Sequence, residues 1–179
     1  MARASEQQKF EQLTVAAAVD SVRGMTVPIE RVPAADTIPL RHRVLRSHQD
    51  ISEVALPGDD DPETGHFAAI DEGEVIGTAS VRREPPPWPP PPPAATLPAW
   101  RLRGMATADG RRGEGIGGAV LAAAVAHVAA SGGGLLWCSA RQPAEAFYRR
   151  AGFEVIGEPW DDPDLGPHVA MYRLVVPDP

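Results

Sequence analysis

Apolar residues in this chain follow two rhythms, one of helices and one of strands. Within residues 1–25, Phe10, Leu13, Ala17 and Val22 recur among Glu6, Gln7, Gln8 and Lys9, which predicts a peripheral helix in an N-terminal extension. Residues 26–33, TVPIERVP, predict a short strand with Pro28 near its start. Asp36 and Thr37 offer caps for a helix through Leu40, Val44 and Leu45, with Pro39 in its first turn, where a missing N–H costs little. Strands are predicted from His66 to Ile70 and from Glu74 to Arg82, joined by a hairpin turn at Asp71-Glu72-Gly73. WRLRGMAT (100–107) alternates: Leu102, Gly104 and Ala106 share one face, and Arg101, Arg103 and Met105 the other. Helical spacing returns at Ile116, Val120, Leu121, Ala124 and Val128, and stops at Ser131-Gly132. LLWCSA (135–140) is a continuous apolar run, a buried strand. Pro143 opens a second helix with Ala144, Phe147 and Tyr148, which Gly152 closes. FEVIGEPW and HVAMYRLVV predict two last strands across an acidic loop.

The predicted order is strand, helix, three strands, helix, strand, helix, two strands. Three consecutive strands before a strand–helix–strand crossover imply an α/β domain with a mixed sheet. A single domain over 26–176 accommodates all of it. Two segments stay outside the periodic pattern. LPGDDDPETG (56–65) reads as a solvated loop with four acids. EPPPWPPPPPAATLP (84–98) carries eight of the chain's 20 prolines between Pro85 and Pro93. Such a run is extended polyproline II with no core of its own. Strands flank it, so it reads as a stiff connection between antiparallel neighbours rather than a domain boundary; a docking site for a proline-recognising partner is the other reading.

The densest signal is RRGEGIGG (111–118), four glycines at the mouth of a helix. Glycine there costs backbone entropy, so something must approach the main chain closely. Bare N–H groups at a positive helix end suit a phosphate or pyrophosphate. Gly113-Glu114-Gly115-Ile116-Gly117-Gly118 also satisfies the dinucleotide pattern G-x-G-x-x-G, with Arg141 at the end of the next strand as a holder for a 2′-phosphate of NADP. A P-loop is excluded, because no Lys-Ser or Lys-Thr follows the glycines.

Read as Arg112-x-x-Gly115-x-Gly117, the loop resembles that of the GNAT superfamily of acyl-CoA-dependent N-acyltransferases. LLWCSARQPAEAFYRRAGF (135–153), with its Phe-Tyr pair and closing Gly-Phe, looks like the strand and helix that follow in that family, and GPHVAMYR (166–173) resembles the ending of a bacterial small-molecule subgroup. The likeness is sharp over about residues 100–174, topological over 26–83 and absent before 26. It implies a mostly antiparallel central sheet with a parallel strand–helix–strand crossover at the cofactor loop. It implies transfer of an acetyl group from acetyl-CoA to a primary amine of a small molecule, by direct attack in a ternary complex. Met105, Ala106 and Thr107 would pair with the pantetheine arm, and a backbone N–H near Ala106 would polarise the thioester carbonyl. Backbone N–H groups of Arg112, Gly113, Glu114, Gly115, Ile116, Gly117 and Gly118 would hold the pyrophosphate. Tyr148 would protonate the leaving thiolate. Arg141 stands where many members carry an asparagine that contacts pantetheine. Many relatives pair, which leaves a homodimer open. A catalytically idle acyl-CoA-binding module is the competing reading from another class.

Other candidates carry two readings each. Tyr148 is also a packed aromatic, and His168 is either a base for the amine or a hydrogen-bonded strand residue. His42, His48 and His66 would line the acceptor site, and His127 would be a half-buried surface residue. Cys138, the lone cysteine, suits a small core residue better than an acyl carrier. Arg149 and Arg150 either reach an adenosine phosphate or complement a helix end. No His or Cys spacing fits a metal site.

Composition changes the picture only at the margins. A net charge of −7 and a pI near 5.2 argue against nucleic acid as a partner and lean toward amines or polyamines. One cysteine fits a reducing cytosol. No apolar run reaches the ~20 residues of a membrane span and no secretory signal is evident, so a cytoplasmic protein with no membrane partner is expected.

Overall fold

A computed structural model describes residues 27–179; the predicted helix within 1–25 lies outside the described residues. The elements run β1 (Ile29–Arg31), α1 (Ala34–Leu45), β2 (Gly65–Asp71), β3 (Glu74–Arg83), β4 (Ala99–Thr107), α2 (Ile116–Ala130), β5 (Gly134–Arg141), α3 (Glu145–Arg150), β6 (Glu154–Asp162) and β7 (Gly166–Val175). This is the order that the hydrophobic pattern predicts. The strands form one sheet, β1-β2-β3-β4-β5-β7-β6. Every adjacent pair is antiparallel except β4 and β5. With a single parallel pair, the run of parallel strands that dinucleotide binding requires is missing among the described residues, and the NADP reading falls.

The β2–β3 hairpin turns on Glu72 and Gly73, both at positive φ (50° and 84°), the geometry that matches strand twist. The predicted stripe of α2 is buried in full: Ile116, Val120, Leu121, Ala124 and Val128. It packs on the face of β3 to which Gly77 belongs. A Cβ on Gly77 would run into Ile116 Cγ2, so glycine lets the start of α2 close on the sheet. α1 covers the opposite face, where Arg41 lies against Gly104 and Ser80.

Two local expectations need correction. α1 begins after Pro33 with no side-chain cap, so Pro39 is the sixth helical residue rather than part of the first turn. The helix tolerates it by forgoing one backbone bond near its middle. Asp36 sits in the first turn, where its charge suits the helix dipole. In β4 the simple alternation fails. Thr78 pairs with Ala106 but Ser80 with Arg103, so three steps of β4 match two of β3. The extra residue is a bulge at Gly104 (φ 62°), and it moves Ala106 to the face of Arg101 and Arg103, away from Leu102.

The proline-rich connection links antiparallel neighbours β3 and β4, as expected. It is anchored by Trp88, which packs on Trp137 and Tyr172 (centroids 6.3 and 6.0 Å apart). Among the described residues, no helix is long and apolar enough to cross a membrane.

Candidate active site

The site grows from a fork in the sheet. β4 and β5 pair only at Ala99–Leu135, Trp100–Leu136 and Arg101–Trp137. Beyond those rows the strands part, leaving Leu102–Thr107 without a strand partner on the β5 side among the described residues. A cleft of about 1980 Å³ follows the gap; its walls include Met105, Ala106, Thr107, Gly115, Gly117, Arg141, Tyr148 and His168. That exceeds the ~300–1,000 Å³ of an ordinary small-ligand pocket and suits a long ligand beside a second one.

The bulge lies on one prong. Side chains of β3 bond to its carbonyls. Thr78 Oγ1 donates to Gly104 O (2.7 Å) and Ser80 Oγ to Arg103 O (3.1 Å). Behind it stands a buried ion cluster. Asp59 Oδ2 accepts from Arg41 (2.8 Å) and from the Leu56 amide (2.9 Å), and Oδ1 from Arg103 (2.9 Å). Burial works to raise the Asp59 carboxyl; the Leu56 amide and the two guanidiniums outweigh it and hold it below the usual carboxylate range. So the loop at 56–65 is not wholly solvated: Asp59 is 5% exposed and ties that loop and α1 to β4.

The glycine loop closes one end of the cleft. Gly110, Gly113 and Gly115 have φ of 84°, 90° and 82°, a conformation that L side chains rarely adopt. Gly115 is the N-cap of α2, so the first N–H groups of the helix have no side-chain acceptor. The loop is held from outside. Arg111 donates through Nε to both Glu114 oxygens (2.9 and 2.8 Å) and through a terminal nitrogen to Asp71 (2.8 Å). Arg112 is largely exposed and pairs with Asp109 at 3.1 Å. Gly117 lets Thr107 and Phe147 approach the helix start, at 3.4 and 3.6 Å from where its Cβ would lie.

Tyr148 is 6% exposed, between Phe147 and Phe153. Burial pushes its phenol well above the ordinary value, so it stays protonated. His168 lies opposite Arg141 in the β5–β7 register and stacks on Trp160. Its Nδ1 is 2.7 Å from Gly166 O. A carbonyl only accepts, so Nδ1 donates in this bond and Nε2 is the ring nitrogen left for another partner. Arg141 donates to Leu45 O (2.7 Å), tying β5 to the end of α1.

The remaining candidates separate. His66 is 3% exposed, bonded to Asp59 O at 2.9 Å, and His42 meets Gln49 O at 2.9 Å; neither lines the cleft, nor does His48. His127 is half-buried against Phe67 and Trp100. Cys138 is buried, and desolvation raises its thiol to about 12, so it is a core residue. Arg149 pairs with Glu145 at 2.7 Å. Sequence reasoning missed Asp59, Arg41, Arg103, Thr78, Ser80 and Arg111. The signal for the first three was an arginine pair on a strand face buried beneath a helix, which demands a counter-charge.

Residues 34–153 match the model of the acetyltransferase (GNAT) family. The chain belongs to that family. It is an acyltransferase by that membership, and its mixed sheet is the family's fold. The chain is 34% identical over 147 residues to YitI of Bacillus subtilis (strain 168), an uncharacterized N-acetyltransferase, covering 82% of this chain and 95% of that one. Among solved structures it resembles an aminoglycoside 6′-N-acetyltransferase complexed with coenzyme A (TM-score 0.62, 16% identity, 85% of this chain and 99% of that one). It also resembles a protein from Corynebacterium glutamicum ATCC 13032 described as histone acetyltransferase HPA2 and related acetyltransferase (TM-score 0.64, 20% identity, 87% and 98%).

Proposed function

We propose that this protein transfers an acetyl group from acetyl-CoA to a primary amine of a small molecule, with both substrates bound in the cleft at once. The observation that carries the reading is the juxtaposition of the forked strands with the glycine loop: an unpaired main-chain edge at Leu102–Thr107 leads to uncapped N–H groups at the start of α2. Coenzyme A fits this cradle. Its pyrophosphate needs bare amides, which the left-handed glycines and the Gly115 cap leave open, and its amide-bearing pantetheine arm needs an unpaired strand edge.

Acetyl-CoA supplies the activated acetyl group. The chain supplies position and protons. The main chain of Met105, Ala106 and Thr107 orients the pantetheine arm, and an N–H near Ala106 stabilises negative charge on the carbonyl oxygen. The amides from Arg112 to Gly118 fix the pyrophosphate, and Arg141 borders the arm from β5. Tyr148, on the cleft wall, gives its proton to the departing thiolate. His168 Nε2 takes a proton from the amine. Most of the acceleration comes from proximity and the oxyanion contact.

The test is release of free thiol from acetyl-CoA across a panel of amines, paired with thermal-shift titrations of coenzyme A and NADPH. Amine-dependent thiol release and stabilisation by coenzyme A are expected. Stabilisation without thiol release on any amine would instead identify an idle acyl-CoA-binding module, and stabilisation by NADPH alone would overturn the reading of the loop.

A further inference from the structure

Arg82 and Arg101 are direct cross-strand partners on the α1 face of the sheet, and Arg103 lies on the same face. Like charges directly opposite each other destabilise a sheet unless counter-charge is present. The resident counter-charge is incomplete. Glu84 serves both Arg101 (2.7 Å) and Arg82 (3.8 Å), and Asp59 serves both Arg103 (2.9 Å) and Arg41 (2.8 Å). Four guanidiniums thus share two carboxylates. Arg82, Arg101 and Arg103 each also keep a buried Nε–H with no partner among the described residues. Arg101 lies over the Trp137 ring, 4.8 Å from its centroid, which fixes its plane.

This excess charge faces the cleft, not bulk solvent. All four arginines line it, with Arg82 and Arg101 side chains 23% and 33% exposed. Arg103 borders the bulge, so the patch begins beside the acetyl-transfer position and runs away from it along β4. The net charge of −7 invites a cationic acceptor; the cleft itself inverts that charge.

We infer that the acceptor is a zwitterionic amine, an amino acid whose carboxylate is held by Arg101 and Arg82 while its amino group reaches the bulge. The inference rests on the acyl-transfer reading of the cleft and narrows its acceptor. A planar guanidinium fork matches a carboxylate in two-point contact, whereas a second ammonium group would be repelled.

The test compares aminohexanoate, hexylamine and hexanediamine, in thiol-release assays with acetyl-CoA and in calorimetric binding to the coenzyme A complex. Aminohexanoate is expected to exceed hexanediamine about tenfold or more in kcat/KM and in affinity. Arg101→Gln removes that preference and leaves coenzyme A affinity unchanged. Glu84→Gln, which deletes the competing carboxylate, tightens aminohexanoate binding. Faster turnover with hexanediamine, or equal binding of aminohexanoate to wild type and Arg101→Gln, overturns the inference while the transferase reading stands. Arg101-dependent binding with no thiol release sinks the transferase reading and keeps the anion site. Neither binding nor release overturns both.

Discussion

Arg103 donates to Asp59 across 2.9 Å, and the pair reaches from β4 to a loop 44 residues earlier in the chain. Because Asp59 also holds Arg41, its carboxylate is, among the described residues, the one bond partner that joins those two guanidiniums. Removing it strands two buried cations beneath the bulge. Asp59→Ala is expected to destabilise the fold by about 3–5 kcal/mol, read by urea unfolding, the usual cost of breaking a buried pair.

The same carboxylate predicts a pH dependence. Its folded pKa lies below its unfolded value of about 3.9, so its stabilisation is fully present above that value and is lost as pH falls through the folded pKa. Wild type therefore loses stability below about pH 4 more steeply than Asp59→Asn, and the two curves converge with acidification. Parallel curves would contradict the pairing.

Tyr148→Phe removes one oxygen and keeps the ring between Phe147 and Phe153. A fall in kcat of about 100-fold or more is expected at saturating substrates, with coenzyme A affinity retained. Since burial raises the phenol's pKa, its ionisation adds no alkaline limb to the rate profile below pH 10. Full turnover by the phenylalanine variant would remove Tyr148 from the chemistry.

Cys138 offers a negative control. It is 2% exposed with its thiol raised to about 12, so it is neither reachable nor nucleophilic near neutrality. Cys138→Ala should keep kcat within a few-fold, and the native protein should resist thiol-alkylating reagents. Acetylation of the enzyme at this sulfur, detected by mass spectrometry, would replace direct attack with a covalent route.

Gly77→Ala tests how the sheet sets the glycine loop. The new methyl meets Ile116 Cγ2, the first residue of α2. Overpacking of this kind costs about 1–3 kcal/mol, and here it displaces the helix start. Weaker coenzyme A binding should accompany the lower melting temperature; Ile116→Leu in the same chain, which lacks the β-branch methyl, should recover part of both.

The order of elements was legible because each helix and strand carries its own period, from the α2 stripe at Ile116 and Val120 to the apolar run of β5. The glycine loop was legible as a special turn because glycines gathered at a helix mouth mark backbone that side chains disfavour, and Gly113 and Gly115 do lie at positive φ. The bulge was not: a glycine inside an alternating strand marks either a bulge or a bare position, and only pairing with Thr78 and Ser80 decides between them. Asp59 was equally hidden, one of four acids in a polar loop until the fold brings Arg41 and Arg103 to it. The α1 start was misread because Pro33 takes the cap position that Asp36 and Thr37 were suited to fill.

The fork has a consequence beyond catalysis. Among the described residues, three rows of parallel pairing are the sheet seam between the β1–β4 block and the β5–β7 block. A molecule lying along the open edges would act as a temporary eighth strand, stitching the two blocks together where the polypeptide does not. Resistance to unfolding would then rise and fall with the supply of that molecule, making the protein's persistence a gauge of its donor's abundance.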